Sequence, residues 1–219
     1  MDWDYLRSVF PELLDGLRIT AIATGVGMVL AVVVGLLLAC VQVLRVPVLR
    51  HVAAGWILFI RNTPLLVQLF FLFYVLPRYG VLIDALTLGI VGLGLHFSCY
   101  TAEAFRGGFL SVPKGQWEAA RTLNLSTVTT LRTVILPQAI PPVLAALGNN
   151  LISMFKDSAV LSAITVLELL GVTRKLASTS FQYTTLLTVM GVMYLTLALP
   201  ASFAIRAIER RISRKEARS

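Results

Sequence analysis

Residues 115–137 read GQWEAARTLNLSTVTTLRTVILP, the longest polar interruption between strongly apolar segments of a 219-residue chain. The stretch carries Glu118, Arg121 and Arg132, and its residue types describe two short helices joined at a turn. Pro113, just upstream, suits a first helical turn, because its missing N–H would have no partner there. Good helix formers run from Gln116 to Leu123. Glu118 lies near that helix's start, where the dipole favours negative charge. Asn124 follows; after glycine, asparagine best tolerates the left-handed backbone of a tight helix end. Ser126 is placed to cap a second helix with its hydroxyl, and that helix leads to Pro137. A plain solvated loop would not need this order of caps and turn residues.

The setting of the loop is lipid. The chain is 57% hydrophobic and only 14% charged, where a soluble domain has about 25% charged residues. Residues 19–44, 134–155 and 181–205 are uncharged runs of 26, 22 and 25 residues. About 20 apolar residues in a helix cross the hydrocarbon layer, and only helices satisfy their own backbone there. The first run is too long for the apolar part of a signal peptide and follows acidic Asp2 and Asp4, so it reads as a retained span. Cys40 and Cys99 both sit in apolar runs and form no C-x-x-C pair, which points to packed thiols rather than a metal site.

In chain order, residues 1–12 mix Trp3, Tyr5 and Phe10 with charged side chains, as a short external interfacial helix would. The first span covers 14–44, with Gly25, Gly27, Ala31 and Gly35 allowing close helix contact. The second covers 52–76 and holds Arg61, a costly residue at such depth and therefore a functional candidate. The third covers 84–105, with His96, Tyr100 and Glu103 toward its end. The polar loop occupies 106–133. The fourth span covers 134–155, bent by Pro137, Pro141 and Pro142. Residues 158–173 are apolar but short and contain Glu168, which suits a re-entrant or interfacial helix. The fifth span covers 181–205, and a basic tail follows. The expected fold is therefore all-α: a polytopic membrane protein with five transmembrane helices. It divides into 1–12, a membrane domain at 13–209, and a tail at 210–219.

Five spans put the two ends on opposite sides. Twelve of the 19 Lys and Arg residues then fall with the polar loop and the tail, and five on the other side. The positive-inside rule places the N-terminus outside and the loop and C-terminus in the cytoplasm. The net charge of +8 is thus a matter of topology, and nucleic-acid binding is excluded for want of a basic, aromatic surface outside the spans.

At this point a resemblance becomes specific. Glu118-Ala119-Ala120, then Asn124, then Val134-Ile135-Leu136-Pro137 is similar to the E-A-A, G, I-x-L-P pattern of the cytoplasmic loop in permeases of binding-protein-dependent ABC importers. Asn124 stands where that family usually has glycine and Val134 where it has isoleucine. Arg61-Asn62-Thr63-Pro64-Leu65-Leu66-Val67-Gln68, Tyr100-Thr101-Ala102-Glu103 with Arg106-Gly107-Gly108, Val112-Pro113-Lys114-Gly115-Gln116, Leu147-Gly148-Asn149 and Lys156-Asp157 resemble the polar amino-acid branch. Arg61-Asn62-Thr63, Leu123-Asn124-Leu125 and the stretch around His96 look closest to ectoine and hydroxyectoine permease subunits.

The resemblance implies the type I ABC importer transmembrane fold with cytoplasmic coupling helices. It implies partners: two ABC ATPase subunits, a second permease (the same chain or a homologue), an extracytoplasmic solute-binding protein, and membrane lipid. The cell compartment implied is the bacterial inner membrane. ATP and Mg²⁺ would be held by the ATPases, since this chain has no G-x-x-x-x-G-K-[ST] loop; no catalytic residue and no metal ligand is expected in it. The coupling residues expected are Glu118, Ala119, Ala120, Arg121, Asn124 and Pro137, with the two alanines permitting close approach of the partner. The pathway residues expected for a small polar or zwitterionic solute are Asn149, Asn150, Ser153, Asp157, Tyr100, Glu103 and Arg61. Lys156 and Asp157 could instead pair with each other at a helix end. The rival reading is a stand-alone secondary transporter or channel, which would need an internal repeat or paired broken helices. A membrane-embedded enzyme would need H-E-x-x-H, G-x-S-x-G or a similar constellation, and none occurs.

Overall fold

The computed structural model describes residues 3–44 and 47–216, with side chains described for all of these except 142 and 208–216. Asp2, Arg45 and Arg218 lie outside the described residues, as does all side-chain placement in the tail beyond Ala207. The regular secondary structure of the described residues is all helical: α1 Trp3–Val43, α2 Leu49–Asn62, α3 Leu65–Phe70, α4 Ala85–Ser111, α5 Lys114–Thr122, α6 Thr127–Thr129, α7 Leu136–Asp157, α8 Leu169–Ser180 and α9 Tyr183–Glu216. Three helices are long and apolar enough to cross a membrane, and two bent helix pairs raise the number to five.

The centre of the bundle is α1 against α4. On α1, Gly16, Thr20, Ala23, Gly27, Ala31, Gly35 and Ala39 form one buried stripe at helical spacing. Small side chains let the two backbones approach, which is how helices associate where lipid removes the hydrophobic drive. Thr101 of α4 uses that closeness: its hydroxyl donates to the Ala31 carbonyl at 2.7 Å, and a Cβ at Gly35 would collide with the Thr101 hydroxyl. Gly25 does not belong to this contact, having nothing within 4 Å of where its Cβ would be.

Four expectations from sequence are corrected. Within the expected segment 1–12, the described residues 3–12 are not a separate short helix. They are the first part of an unbroken α1 in which Leu6, Val9 and Leu13 are buried against Leu169, Val172 and Leu176 of α8 and Leu186 of α9. The second span is not one helix. It stops at Asn62 and restarts at Leu65 with a bend of 103°. Pro64 explains the stop, because the residue before proline avoids the helical region, and Thr63 is extended at φ −110°, ψ 136°. The third span's helix continues through residues 106–111, so the loop proper begins at Val112. Finally, residues 158–173 split into a 3₁₀ turn, Ser158–Ile164, and the start of α8.

Prolines also explain two π segments, Phe71–Val75 and Thr130–Ile135, each ending two residues before a proline, Pro77 and Pro137. Proline has no N–H to give and its ring crowds the carbonyl four residues back. Widening the preceding turn relieves that crowding. Polar side chains take up carbonyls near the second segment: the Thr133 hydroxyl donates to Thr129 O at 2.8 Å and the Gln138 amide to Val134 O at 2.8 Å.

Candidate functional site

The polar loop folds largely from local signals. The end of α5 is closed by two backbone bonds, Asn124 N–H to Arg121 O at 2.9 Å and Leu125 N–H to Ala120 O at 3.1 Å. This is the paired bonding of a Schellman end, and it needs a left-handed residue; Asn124 supplies it with φ 51°. Ser126 then accepts from the Thr129 N–H at 3.2 Å, capping the next helix as its residue type suggested. That helix is not separate. From Thr127 the chain stays helical through the π segment and into α7. Pro113 is the cap of α5 rather than its first residue, and Glu118 lies a full turn inside, beyond the dipole's main reach.

The turn's chemistry makes a prediction. Asn124→Gly should leave the loop unchanged. Asn124→Val forces a β-branched residue into the left-handed region, at a cost of about 1–2 kcal/mol. Trypsin cleavage after Arg121 and Arg132 of the purified protein should accelerate in the valine variant alone.

The outward surface of the loop is defined by exposure. Glu118, Ala119, Arg121, Asn124 and Pro137 are exposed. Ala120 is not: it is 2% exposed, the buried residue of α5, so its smallness serves this chain's interior rather than a partner's approach. Leu123 and Val128, 71% and 73% exposed on either side of the turn, were missed in the sequence reading. The signal was available, since large apolar residues inside a polar loop mark contact surface.

A second site forms where the broken span meets α4 and α7. Two cavities, of about 510 Å³ and about 460 Å³, flank the corner. Arg61, Asn62 and Tyr100 line both; His96 and Asp157 line the first, and Gln42 and Glu103 the second. Arg61 sits over the Tyr100 ring, 5.3 Å from its centroid, a cation–π contact. Side chains tidy the break itself: Asn62 donates to Leu58 O at 2.7 Å and Thr63 to Phe59 O at 3.0 Å. Glu103 is already engaged, holding Arg106 with a shortest contact of 2.7 Å. That is the only ion pair within 4 Å among the described residues, so the alternative of a direct Lys156–Asp157 pair is not seen, although the two charges still interact. Arg61, stacked on Tyr100, and Asp157, next to Lys156 in the chain, therefore bring opposite charges to one cavity, neither of them in an ion pair among the described residues.

The structure thus gathers Arg61, Tyr100 and Asp157, and sets Glu103 beside them. Asn149, Asn150 and Ser153 line neither cavity. Ser153 and Asn150 lie four and seven residues before Asp157, on the same stripe of α7.

Residues 31–214 match the family model described as "Binding-protein-dependent transport system inner membrane component". The chain belongs to that family. It is 43% identical over 202 residues to the "Probable amino-acid ABC transporter permease protein y4tG" of Sinorhizobium fredii, covering 92% of this chain and 87% of that one. It is 33% identical to the glutamine transport system permease protein GlnP of Escherichia coli, covering 96% and 97%. Among solved structures, it superposes with a TM-score of 0.87 on an "amino acid ABC transporter with histidines", at 34% identity over 96% of this chain and 99% of that one. A MetNI methionine ABC transporter at 21% identity and TM-score 0.76 shares the fold.

This permease subunit therefore has the type I ABC importer transmembrane fold and is a multi-pass membrane protein of a binding-protein-dependent ABC importer. Membership sets aside the stand-alone transporter or channel. It also implies ATPase and binding-protein partners. None of the relatives just described is an ectoine permease.

Proposed function

We propose that this subunit carries a small zwitterion, an amino acid or an amino-acid-like solute such as ectoine, past the corner made by Arg61, Tyr100 and Asp157. The observation that supports this most is that two opposite charges, neither in an ion pair among the described residues, line one cavity. A buried or lipid-depth charge is stable only with a partner. Arg61 and Asp157 line one cavity and neither is in an ion pair among the described residues, so a solute bearing both a carboxylate and an ammonium would complement them. Asn150 and Ser153, on the Asp157 stripe, would meet the solute further along α7, with Asn149 beside them; Glu103 shapes the neighbouring cavity.

The drive comes from outside the chain. Two ATPases would hold ATP and Mg²⁺, this chain having no phosphate-binding loop, and would seat the loop surface of Glu118, Ala119, Arg121, Leu123, Asn124 and Val128. Pro137 and the π segment before it set the angle at which that surface joins α7. Closure of the ATPases would push the loops of two permease subunits, identical or homologous, and switch the bundle between inward and outward openings. The arginine and lysine bias favours a cytoplasmic loop and C-terminus and an external N-terminus, where the solute-binding protein would dock.

The test is uptake by the complete complex in proteoliposomes, with labelled glutamine, cystine, arginine, ectoine and glycine betaine as probes. Arg61→Ala and Asp157→Asn should each reduce uptake of an accumulated solute by about tenfold or more, as loss of a charge-assisted contact would. Wild-type affinity and rate in both variants would place the path elsewhere.

A further inference from the structure

His96 and Gln68 stand behind the first cavity, and the hydrogen bonds around them settle which face each presents. The Gln68 side-chain amide nitrogen lies 2.9 Å from Ile60 O, 3.1 Å from Thr63 O and 2.7 Å from the Thr63 hydroxyl oxygen. The two carbonyls can only accept. The Thr63 hydroxyl is committed as a donor to Phe59 and Ile60 carbonyls, at 3.0 and 3.3 Å, so it too accepts from Gln68. The NH₂ group of Gln68 therefore faces the end of α2 and ties it to α3 across the 103° break. Its Oε1 is left facing His96 Nδ1 at 3.1 Å.

An amide oxygen has no proton to give. The bond exists only if His96 Nδ1 carries the hydrogen, and a neutral imidazole with Nδ1–H has a bare Nε2. Nε2 has no partner among the described residues and is not among the sealed, unsatisfied buried atoms. His96 meanwhile lines the cavity with Arg61, Tyr100 and Asp157. Its ring is steadied by Phe97 and Tyr100, whose centroids lie 5.5 and 5.4 Å away.

We propose that Gln68 fixes His96 as a hydrogen-bond acceptor in the solute cavity, so that His96 Nε2 selects solutes carrying an N–H donor over those whose nitrogen is fully alkylated. This rests on the solute path proposed above and adds a specificity-determining residue to it. Asp157 attracts any cation of the right size. A bare ring nitrogen in a fixed direction rewards only one that can donate. Gln68 is a positioning residue: it touches no solute and acts through the tautomer it imposes.

The test uses a His51→Gln background, which leaves His96 as the only histidine of the chain. The permease is labelled with ¹⁵N-histidine, assembled with unlabelled ATPase subunits in nanodiscs, and read by ¹⁵N NMR. The expected result is a single Nδ1–H tautomer that becomes mixed in Gln68→Leu. Adding a probe that the complex accumulates and that bears an N–H should move the Nε2 resonance, while glycine betaine should not. In uptake, His96→Leu should raise the half-saturating concentration by about tenfold with a smaller change in maximal rate. His96→Gln, whose side-chain oxygen can replace Nε2, should keep most of the affinity. An Nε2–H tautomer overturns the proposal. So does an Nε2 resonance unmoved by a solute whose uptake needs Arg61 and Asp157, and that outcome leaves the path itself standing. If uptake is indifferent to Arg61 and Asp157, the path fails, and the role of His96 fails with it even where the tautomer is as expected.

Discussion

Glu168→Leu should unfold the subunit more readily than any other single change at a polar position of its interior. Glu168 is 0% exposed and caps α8. One carboxylate oxygen accepts from Gly171 N–H at 2.7 Å. The other accepts from Leu170 N–H at 2.9 Å, Tyr194 OH at 3.1 Å and Thr20 OH at 3.4 Å. Thr20 in turn accepts from Leu169 N–H at 3.2 Å. One side chain thus joins α1, α8 and α9, and leucine would take the carboxylate acceptor from four donors, of which the Tyr194 hydroxyl also interacts with Ser158 and Thr20. Each buried orphan costs about 1–3 kcal/mol, though the costs do not add fully. A total of about 3 kcal/mol, at about 2–4 °C per kcal/mol for a chain of this size, lowers the melting midpoint by about 6–12 °C. The graded series sharpens the test. Glu168→Gln can turn its NH₂ toward Gly171 and keep the other three bonds, so it should lose about a third as much. Tyr194→Phe removes one donor together with its bond and should lose least. Equal midpoints for the leucine variant and the wild type in detergent would remove Glu168 as the tie between the three helices.

That node also shows where a sequence stops being readable. Glu168 stood out as a charge in an apolar stretch, but its partners lie 148 residues before it and 26 after it, and nothing local pairs them. Asn124 and Ser126 were legible because their work is done within four residues: a left-handed turn and a hydroxyl cap are set by the residues themselves. The break at residue 63 lay between these cases. Asn62-Thr63-Pro64 is turn chemistry in plain sight, yet the apolar length around it argued for one straight span. In lipid, length decides whether a segment can cross, while proline decides whether it crosses straight. The cavity followed from that break. Arg61, Tyr100 and Asp157 were all expected on the path, but only the bend brings them together, while the asparagines of α7, expected there from the family resemblance and their polarity, line neither cavity. Ala120 was misjudged for a similar reason: a small residue permits close packing on whichever side the fold turns it, and here it turns inward.

Glu118→Lys should abolish transport while leaving the subunit folded. The side chain is exposed in the middle of α5, and its carboxylate makes no hydrogen bond or ion pair among the described residues; only its backbone carbonyl is used, by Thr122 at 3.0 Å. Glutamate and lysine have nearly equal helix propensity, so the helix, its Schellman end and the membrane bundle lose nothing by the exchange. Whatever the change does must therefore be done to a partner. Glu118 and Ala119 share the loop's outer surface with Leu123 and Val128, an apolar patch with one free carboxylate. A groove that accepts this surface must meet the carboxylate with donors or a cation. Reversing the charge replaces attraction with repulsion at a desolvated contact, where such pairs are worth about 1.5–7 kcal/mol. The expected result is a normal amount of protein in the membrane, an unchanged melting midpoint, and uptake at background. The ATPase should either fail to co-purify or hydrolyse ATP without driving transport. Glu118→Gln, which keeps the shape and an acceptor, should fall between. Leu123→Asp should weaken co-purification through the apolar part of the same surface, and because Leu123 is exposed it should do so without lowering the melting midpoint. Wild-type uptake in Glu118→Lys would mean that the ATPase grips the subunit elsewhere, and the most locally determined fold in the chain would have lost its purpose.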